Sequence, residues 1–247
     1  MHFVPDSSTA APFIHFAEVC EQLVRTTRKL EKRALLADYL RSLLPRDAAL
    51  AALYLAGQPF PATDRRQLNI GGSLLSRVLS QVSGASEHRM HAAYLRHGDL
   101  GGAAEDLLNE AKGRRPVAPT LTLQEVEAAF AAIADAAKPL ARQHLVSALF
   151  ERSTPLECKY LIKITLGDMR TGVKESLVEE AIAAAFEAEI AQVRRTMMLQ
   201  GSLAEVVTLA AEHRLNQATM KLFHPLGFML ASPVETVDEA LRRFSES

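Results

Sequence analysis

Two short stretches of the chain carry residue types suited to holding a phosphate. In the first, Arg65 and Arg66 precede Gly71, Gly72 and Ser73; in the second, Arg170, Thr171, Gly172 and Lys174 lie within five residues of one another. A helix start leaves backbone N–H groups unpaired, and glycine lets an anion approach them closely. A cation on either side then completes a place for negative charge. The surrounding residues add to this. Residues 64–77 hold Arg65, Arg66 and Arg77 against Asp64, and residues 159–174 hold Lys159, Lys163, Arg170 and Lys174 against Asp168. The chemistry available is electrostatic grip on a polyanion. The plainer alternative for either turn is a solvated helical hairpin, because glycines and charges are common in turns.

The elements that must position the second turn read clearly. Thr154 and Glu157 have the spacing of a capping box with Pro155 at the first helical position. Leu156, Tyr160, Leu161 and Ile164 form an apolar face, while Lys159 and Lys163, four apart, share one side. Gly167 stops that helix, and Gly172 is expected to open the next, which buries Leu177, Val178, Ala181, Ile182, Ala185 and Phe186. In the first turn two prolines and three glycines within residues 57–72 forbid a regular helix, and Gly71 and Gly72 open a helix over Ser73–Val82.

Alanine and leucine dominate the composition, β-branched runs are scarce and tryptophan is absent, which predicts an all-α fold of about twelve helices. Further helices are expected over Phe13–Arg25, Lys29–Leu44 (ended by Pro45), Ala48–Ala56, a stretch capped by Ser86, Leu100–Ala111, Thr122–Ala136, Lys138–Glu151, Ile190–Gln200 and Ser202–Arg214. The organisation predicted is a loose leader (1–12), a first helical half (13–111), a basic Pro-containing linker (112–121), a second half (122–215) and a tail (216–247) with a capping box at Thr236 and Glu239. The formal net charge is −1, so a nucleic-acid contact must rest on local clustering. The two cysteines, Cys20 and Cys158, form no short-spaced motif and read as buried thiols of a reducing, cytoplasmic setting. No apolar run is long enough to span a membrane.

The chain echoes itself. A shift of 103 residues carries Leu74, Leu75, Val78 and Leu79 onto Leu177, Val178, Ala181 and Ile182, Gly98 onto Gly201, and Leu100 onto Leu203. Upstream, AALYLAG echoes CKYLIKI with a somewhat different offset. Two antiparallel strands of a duplex are themselves related by a local two-fold, so a pseudo-two-fold protein can offer one anion-binding turn to each. Across a minor groove such contacts carry little sequence information. Other candidate chemistry is thin. His88, His91 and His97 lack carboxylate or thiolate partners at ligand spacing, so no metal is expected. No nucleotide-binding glycine loop is present. Phe223, Phe228 and Met229 read as packing residues. An α-helical repeat scaffold for a protein partner would also account for the repeat and the neutral total charge.

The stretch LECKYLIKITLGDMRTGVKESLVEEAIAAAF, with the helices ALLADYLRSL, IGGSLLSRVL and GDLGGAAEDLL, resembles the N-terminal DNA-binding domain of ATP-dependent DNA ligases. The resemblance runs from about Phe16 to Phe244, and the tail PLGFMLASPVETVDEALRRF is similar to the connector toward an adenylation domain. It implies sequence-independent binding of nicked duplex DNA through the minor groove, in replication and repair and near the nucleoid. It implies that Arg170, Gly172 and Lys174, in one turn with Thr171, touch phosphates, that Gly71, Gly72 and Ser73 are their counterpart, and that Arg65, Arg66 and Lys163 flank them. Partner adenylation and OB-fold domains, ATP and Mg²⁺ are implied for a full ligase. The chain departs from the family pattern at Gly201-Ser202-Leu203-Ala204-Glu205, where Gly-Asp-Leu-Gly-Glu is common. Ligase chemistry also needs a nucleophilic lysine in Lys-x-Asp-Gly. Lys174 is followed by Glu175 and Ser176, and Lys221 by Leu222 and Phe223, so this chain alone is expected to bind without catalysing and to need no cofactor.

Overall fold

The computed structural model describes residues 10–111, 119 and 121–220. Among these the fold is all-α: α1 (Phe13–Arg25), α2 (Lys29–Arg41), α3 (Pro45–Leu55), α4 (Gly72–Ser83), α5 (Glu87–His97), α6 (Leu100–Glu110), α7 (Leu123–Asp135), α8 (Pro139–Arg152), α9 (Pro155–Leu166), α10 (Glu175–Ala185), α11 (Ile190–Gln200) and α12 (Leu203–Ala211), then one 3₁₀ turn (Leu215–Gln217). The leader to residue 9, most of the linker, and the tail from Lys221 with its Thr236–Glu239 box lie outside the described residues.

Local chemistry sets the helix ends. Thr122–Glu125 and Thr154–Glu157 form complete capping boxes, and Ser86 and Asp99 cap α5 and α6 through Arg89 N–H and Gly102 N–H. Gly84, Gly98, Gly167 and Gly201 end α4, α5, α9 and α11 in the left-handed conformation. Two boundaries differ from expectation. Pro45 does not merely stop α2: that helix ends at Arg41, and Pro45 begins α3, where a missing N–H costs nothing. Gly172 does not open α10. Arg170 (φ 51°) and Gly172 (φ 66°) both have left-handed backbones, so the helix starts only at Glu175, with Lys174 at its N-cap.

Helix positions recur along the chain. Phe13–Arg25 is matched by Leu123–Asp135, 110 residues on, and Gly57 by Gly167 at the same offset. Beyond the turns the offset is 103, and it places Glu87–His97 upon Ile190–Gln200. The stretch from Gly57 to the start of α4 is seven residues longer than that from Gly167 to the start of α10, which accounts for the change. This register pairs AALYLAG with LIKITLG rather than with CKYLIKI. Packing follows the same correspondence: α6 lies on α9 as α12 lies on α3, and α10 lies on α2 as α4 lies on α8. At the centre, Phe13 N–H donates to Leu121 C=O (2.8 Å) and Leu123 N–H to Ala11 C=O (2.9 Å), an antiparallel bridge between Pro12 and Thr122.

One core joins both halves. Phe16 stands edge-on to Tyr54 (6.0 Å between ring centres) and Tyr160 (6.3 Å), stacks with Phe13 (5.3 Å), and Tyr54 meets Phe130 (5.9 Å). These rings come from α1, α3, α7 and α9 and all are buried. Each contributes roughly 1.5–3 kcal/mol by leaving water. Cys20 and Cys158 are buried free thiols.

The approach of α6 to α9 is set by glycine. A Cβ on Gly101 would stand 2.8 Å from the Lys159 carbonyl oxygen and 3.0 Å from Lys163 Cγ. A Cβ on Gly72 would meet nothing within 4 Å. Gly101→Ala is therefore expected to destabilise the fold by about 1–3 kcal/mol through forced separation of α6 and α9. Gly72→Ala is expected to be within about 0.5 kcal/mol of the parent. Urea unfolding of the two variants checks the contrast.

Candidate nucleic-acid interface

The segment between α9 and α10 is fixed from below and from one side. From below, Lys32 of α2, itself buried, donates its ammonium to the Thr171 carbonyl. A Cβ on Gly172 would stand 2.7 Å from that ammonium, so the position needs glycine both for its φ and for room. The Thr171 side chain is buried, with its hydroxyl accepting from Val173 N–H (3.3 Å). From the side, Arg170 donates to the Gly98 carbonyl (3.0 Å) and to Asp168 Oδ2 (2.8 Å), and lies 3.8 Å from Asp99 Oδ2. Its side chain remains 47% exposed, open to a further partner. Gly172 and Lys174 are exposed as well.

Asp99 is the anchor. It accepts from Gly102 N–H (2.8 Å) at the start of α6 and pairs through Oδ1 with Lys163 of α9 (3.1 Å). Burial alone would raise its carboxyl; Gly102 N–H, Lys163 and Arg170 outweigh that and hold it below the ordinary carboxylate range. Lys163, 7% exposed, thus faces inward and supports the turn from within. Lys159 is likewise engaged, by Glu21 and by Glu105 (2.8 Å). Burial would lower its ammonium, but the two carboxylates raise it overall. The two lysines that share one side of α9 are therefore neutralised internally.

In the first-half turn, Gly71 is the N-cap of α4 and makes no side-chain cap. Gly71, Gly72 and Ser73 are exposed. Arg66 is clamped by Asp64 (Nη2–Oδ2 2.7 Å) and its guanidinium sits 4.9 Å over the Phe60 ring, while Arg65 is exposed and has no ion pair among the described residues. Lys174, the N-cap of α10, also gives no side-chain cap. Under the 103 offset Ser73 corresponds to Ser176, a residue not singled out from the sequence although the shift would have found it.

The two turns are not isolated. Tyr94 of α5, one turn before Gly98 whose carbonyl accepts from Arg170, lines a cleft with Ser73 of α4. The α5–α6 junction therefore connects the two sequence-predicted groups. His97 Nε2, by contrast, bonds Asp106 (2.6 Å), a partner it shares with Arg96. The departure at Ser202 has a visible outcome. Asp99 caps α6, whereas Ser202 at the equivalent place before α12 is buried, gives no cap and leaves its hydroxyl unpaired among the described residues.

The family model described as DNA ligase N terminus matches residues 12–183. A probable DNA ligase of Koribacter versatilis is 47% identical over 231 residues, covering 94% of this chain and 40% of that protein. A DNA ligase of Methanopyrus kandleri is 36% identical over 91% of this chain and 42% of its own length, and one of Archaeoglobus fulgidus is 32% identical over 93% and 43%. The chain thus spans 40–43% of the length of these three relatives.

Asp99→Asn keeps an oxygen for Gly102 N–H but leaves the Lys163 ammonium buried without a counter-charge. It is expected to cost about 3–5 kcal/mol of stability at neutral pH. Because the folded-state pKa of Asp99 is depressed, its contribution is complete above the unfolded value near pH 4 and is lost as pH falls through the lower folded value. Denaturant unfolding from about pH 6 down to about pH 2 should therefore show a shallower acid decline in Asp99→Asn than in the parent.

Proposed function

The chain belongs to the DNA ligase N terminus family, and from that membership we propose that it binds duplex DNA without regard to sequence, as the non-catalytic N-terminal part of an ATP-dependent DNA ligase. The substrate in this reading is a nicked duplex of replication and repair, held across its minor groove by phosphate and sugar contacts. The observation that carries it is a pair of uncapped helix starts at matched positions. Neither Gly71 nor Lys174 supplies a side-chain cap, so the first amides of α4 and α10 stay open to an anion. Arg170 and Lys174 stand exposed beside the second of them and Arg65 near the first. The recurrence of helix positions at fixed offsets supports two similar halves, one facing each strand.

Each residue then has a distinct part. Arg170, Gly172 and Lys174, with the open amides of Glu175 and Ser176, receive phosphates of one strand. Gly71, Gly72, Ser73 and Arg65 receive those of the other. Thr171, Lys32, Lys163 and Asp99 hold the second turn in shape, and Arg66 stiffens the first through Asp64 and Phe60. A full ligase would also use ATP and Mg²⁺ in its adenylation domain. No Lys-x-Asp-Gly occurs in this chain, so its residues do not fit an adenylylated lysine, and its part is to hold the duplex.

Fluorescence anisotropy with intact and nicked duplexes over a range of salt tests the reading. Affinity should fall steeply with salt, by about 0.9 in the log–log slope for each phosphate engaged. Arg170→Ala should weaken binding to unrelated sequences alike and flatten that slope by about one contact. Affinity indifferent to salt, or a changed base preference in Arg170→Ala, would refute it.

A further inference from the structure

A cleft of about 610 Å³ runs between α4 and α5, from Ser73 at the start of α4 to Tyr94, one turn before the Gly98 carbonyl that accepts from Arg170. Its α4 wall carries Ser73, Ser76 and Arg77 on one helical face. Arg77 is exposed and has no ion pair among the described residues, and the hydroxyls of Ser73 and Ser76 have no hydrogen-bond partner among them. His91 and Tyr94 line the α5 wall, and Glu87 is the one carboxylate at the rim.

The equivalent surface in the second half is built for something else. At the 103 offset Ser76 and Arg77 become Glu179 and Glu180. Arg194 of α11, which replaces His91, reaches across to both carboxylates (3.7 and 3.8 Å), and Lys29 of α2 pairs with Glu180 (2.8 Å). That surface is acidic and occupied by the protein's own cations. The α4–α5 cleft balances Arg77 against Glu87 formally, but it leaves Arg77 without an ion pair among the described residues, is lined with hydroxyls and is open.

We infer that the α4–α5 cleft is a nucleic-acid backbone site, in which Arg77 engages a phosphate and Ser73 and Ser76 donate to neighbouring oxygens. The unpaired Arg77, the open hydroxyls of Ser73 and Ser76, and continuity with the first turn through Ser73 fix the occupant as a sugar-phosphate strand. The duplex contact is therefore lopsided: the first half grips along a helix face, while the second grips only at its turn. This rests on the duplex-binding reading above and adds a contact which that reading does not need.

The test measures duplex affinity against salt for the full chain and for Arg77→Ala, Arg77→Glu and Arg195→Ala, the last an exposed arginine on α11 outside the cleft. Arg77→Ala is expected to lower the slope by about 0.9 with equal weakening across sequences. Arg77→Glu, which installs the residue type found at position 180, should bind more weakly still, and Arg195→Ala should match the parent. Arg77 is exposed, so thermal unfolding of its variants should be unchanged. A salt-dependent parent with slopes unaltered in both Arg77 variants overturns the cleft assignment and leaves the turns intact. So does an equal loss in Arg195→Ala, which would mark a general charge effect. A parent that does not bind duplex DNA removes both readings together.

Discussion

At the start of α6 one carboxylate takes a backbone N–H from its own helix, an ammonium from α9 and the approach of a guanidinium from the segment after α9. Asp99 can do this because Gly101 lets α6 settle directly on the α9 backbone. Without that proximity Lys163 would be a buried cation with no partner, a costly state. With it, the same charge that satisfies Lys163 also orients Arg170. The helix packing and the disposition of the exposed cation are one arrangement, and a disturbance of either reaches the other.

The helices before and after the linker follow a similar order and differ in surface detail near the two turns. Their helix positions and packing partners correspond, and their backbones meet in a bridge whose two hydrogen bonds exchange equivalent residues. The differences sit on the surface near the turns. The first half has a long segment stiffened by Asp64, Arg66 and Phe60, and a cationic α4. The second has a short segment wired to Asp99 and Lys32, and an acidic α10. Ser202 shows the same divergence inside: where Asp99 gathers three partners, its counterpart makes no cap.

Much of the fold was legible because local rules decide it. Capping boxes at Thr122 and Thr154, glycines at helix ends and apolar spacing place most helices to within a residue or two. The errors arose where one residue type serves two ends. Pro45 has the position of a stop yet begins α3, and Gly172 has the type of a helix start yet its left-handed backbone delays α10 to Glu175. The candidate site was legible in its exposed members and illegible in its supports. Lys163 looked like a surface cation because a helix period cannot say what lies opposite; α6 lies opposite, with Asp99 at its tip. Lys32 did leave a signal, since it falls one turn before Leu36 and Leu40 on the buried stripe of α2. A charged residue at a core register position is a prompt to look for its partner.

The placement of Lys32 beneath Thr171 bears on how firmly the turn is held before any contact is made. A glycine-containing turn left to itself samples many conformations, and ordering it on contact costs about 1–2 kcal/mol of entropy per residue. Here the buried ammonium, the inward Thr171 and the Asp99-tethered guanidinium have already restricted those conformations when the chain folds. In the proposed binding role, an arriving phosphate would meet a surface that needs little rearrangement, and encounter would be governed by diffusion and charge rather than by the closing of a loop.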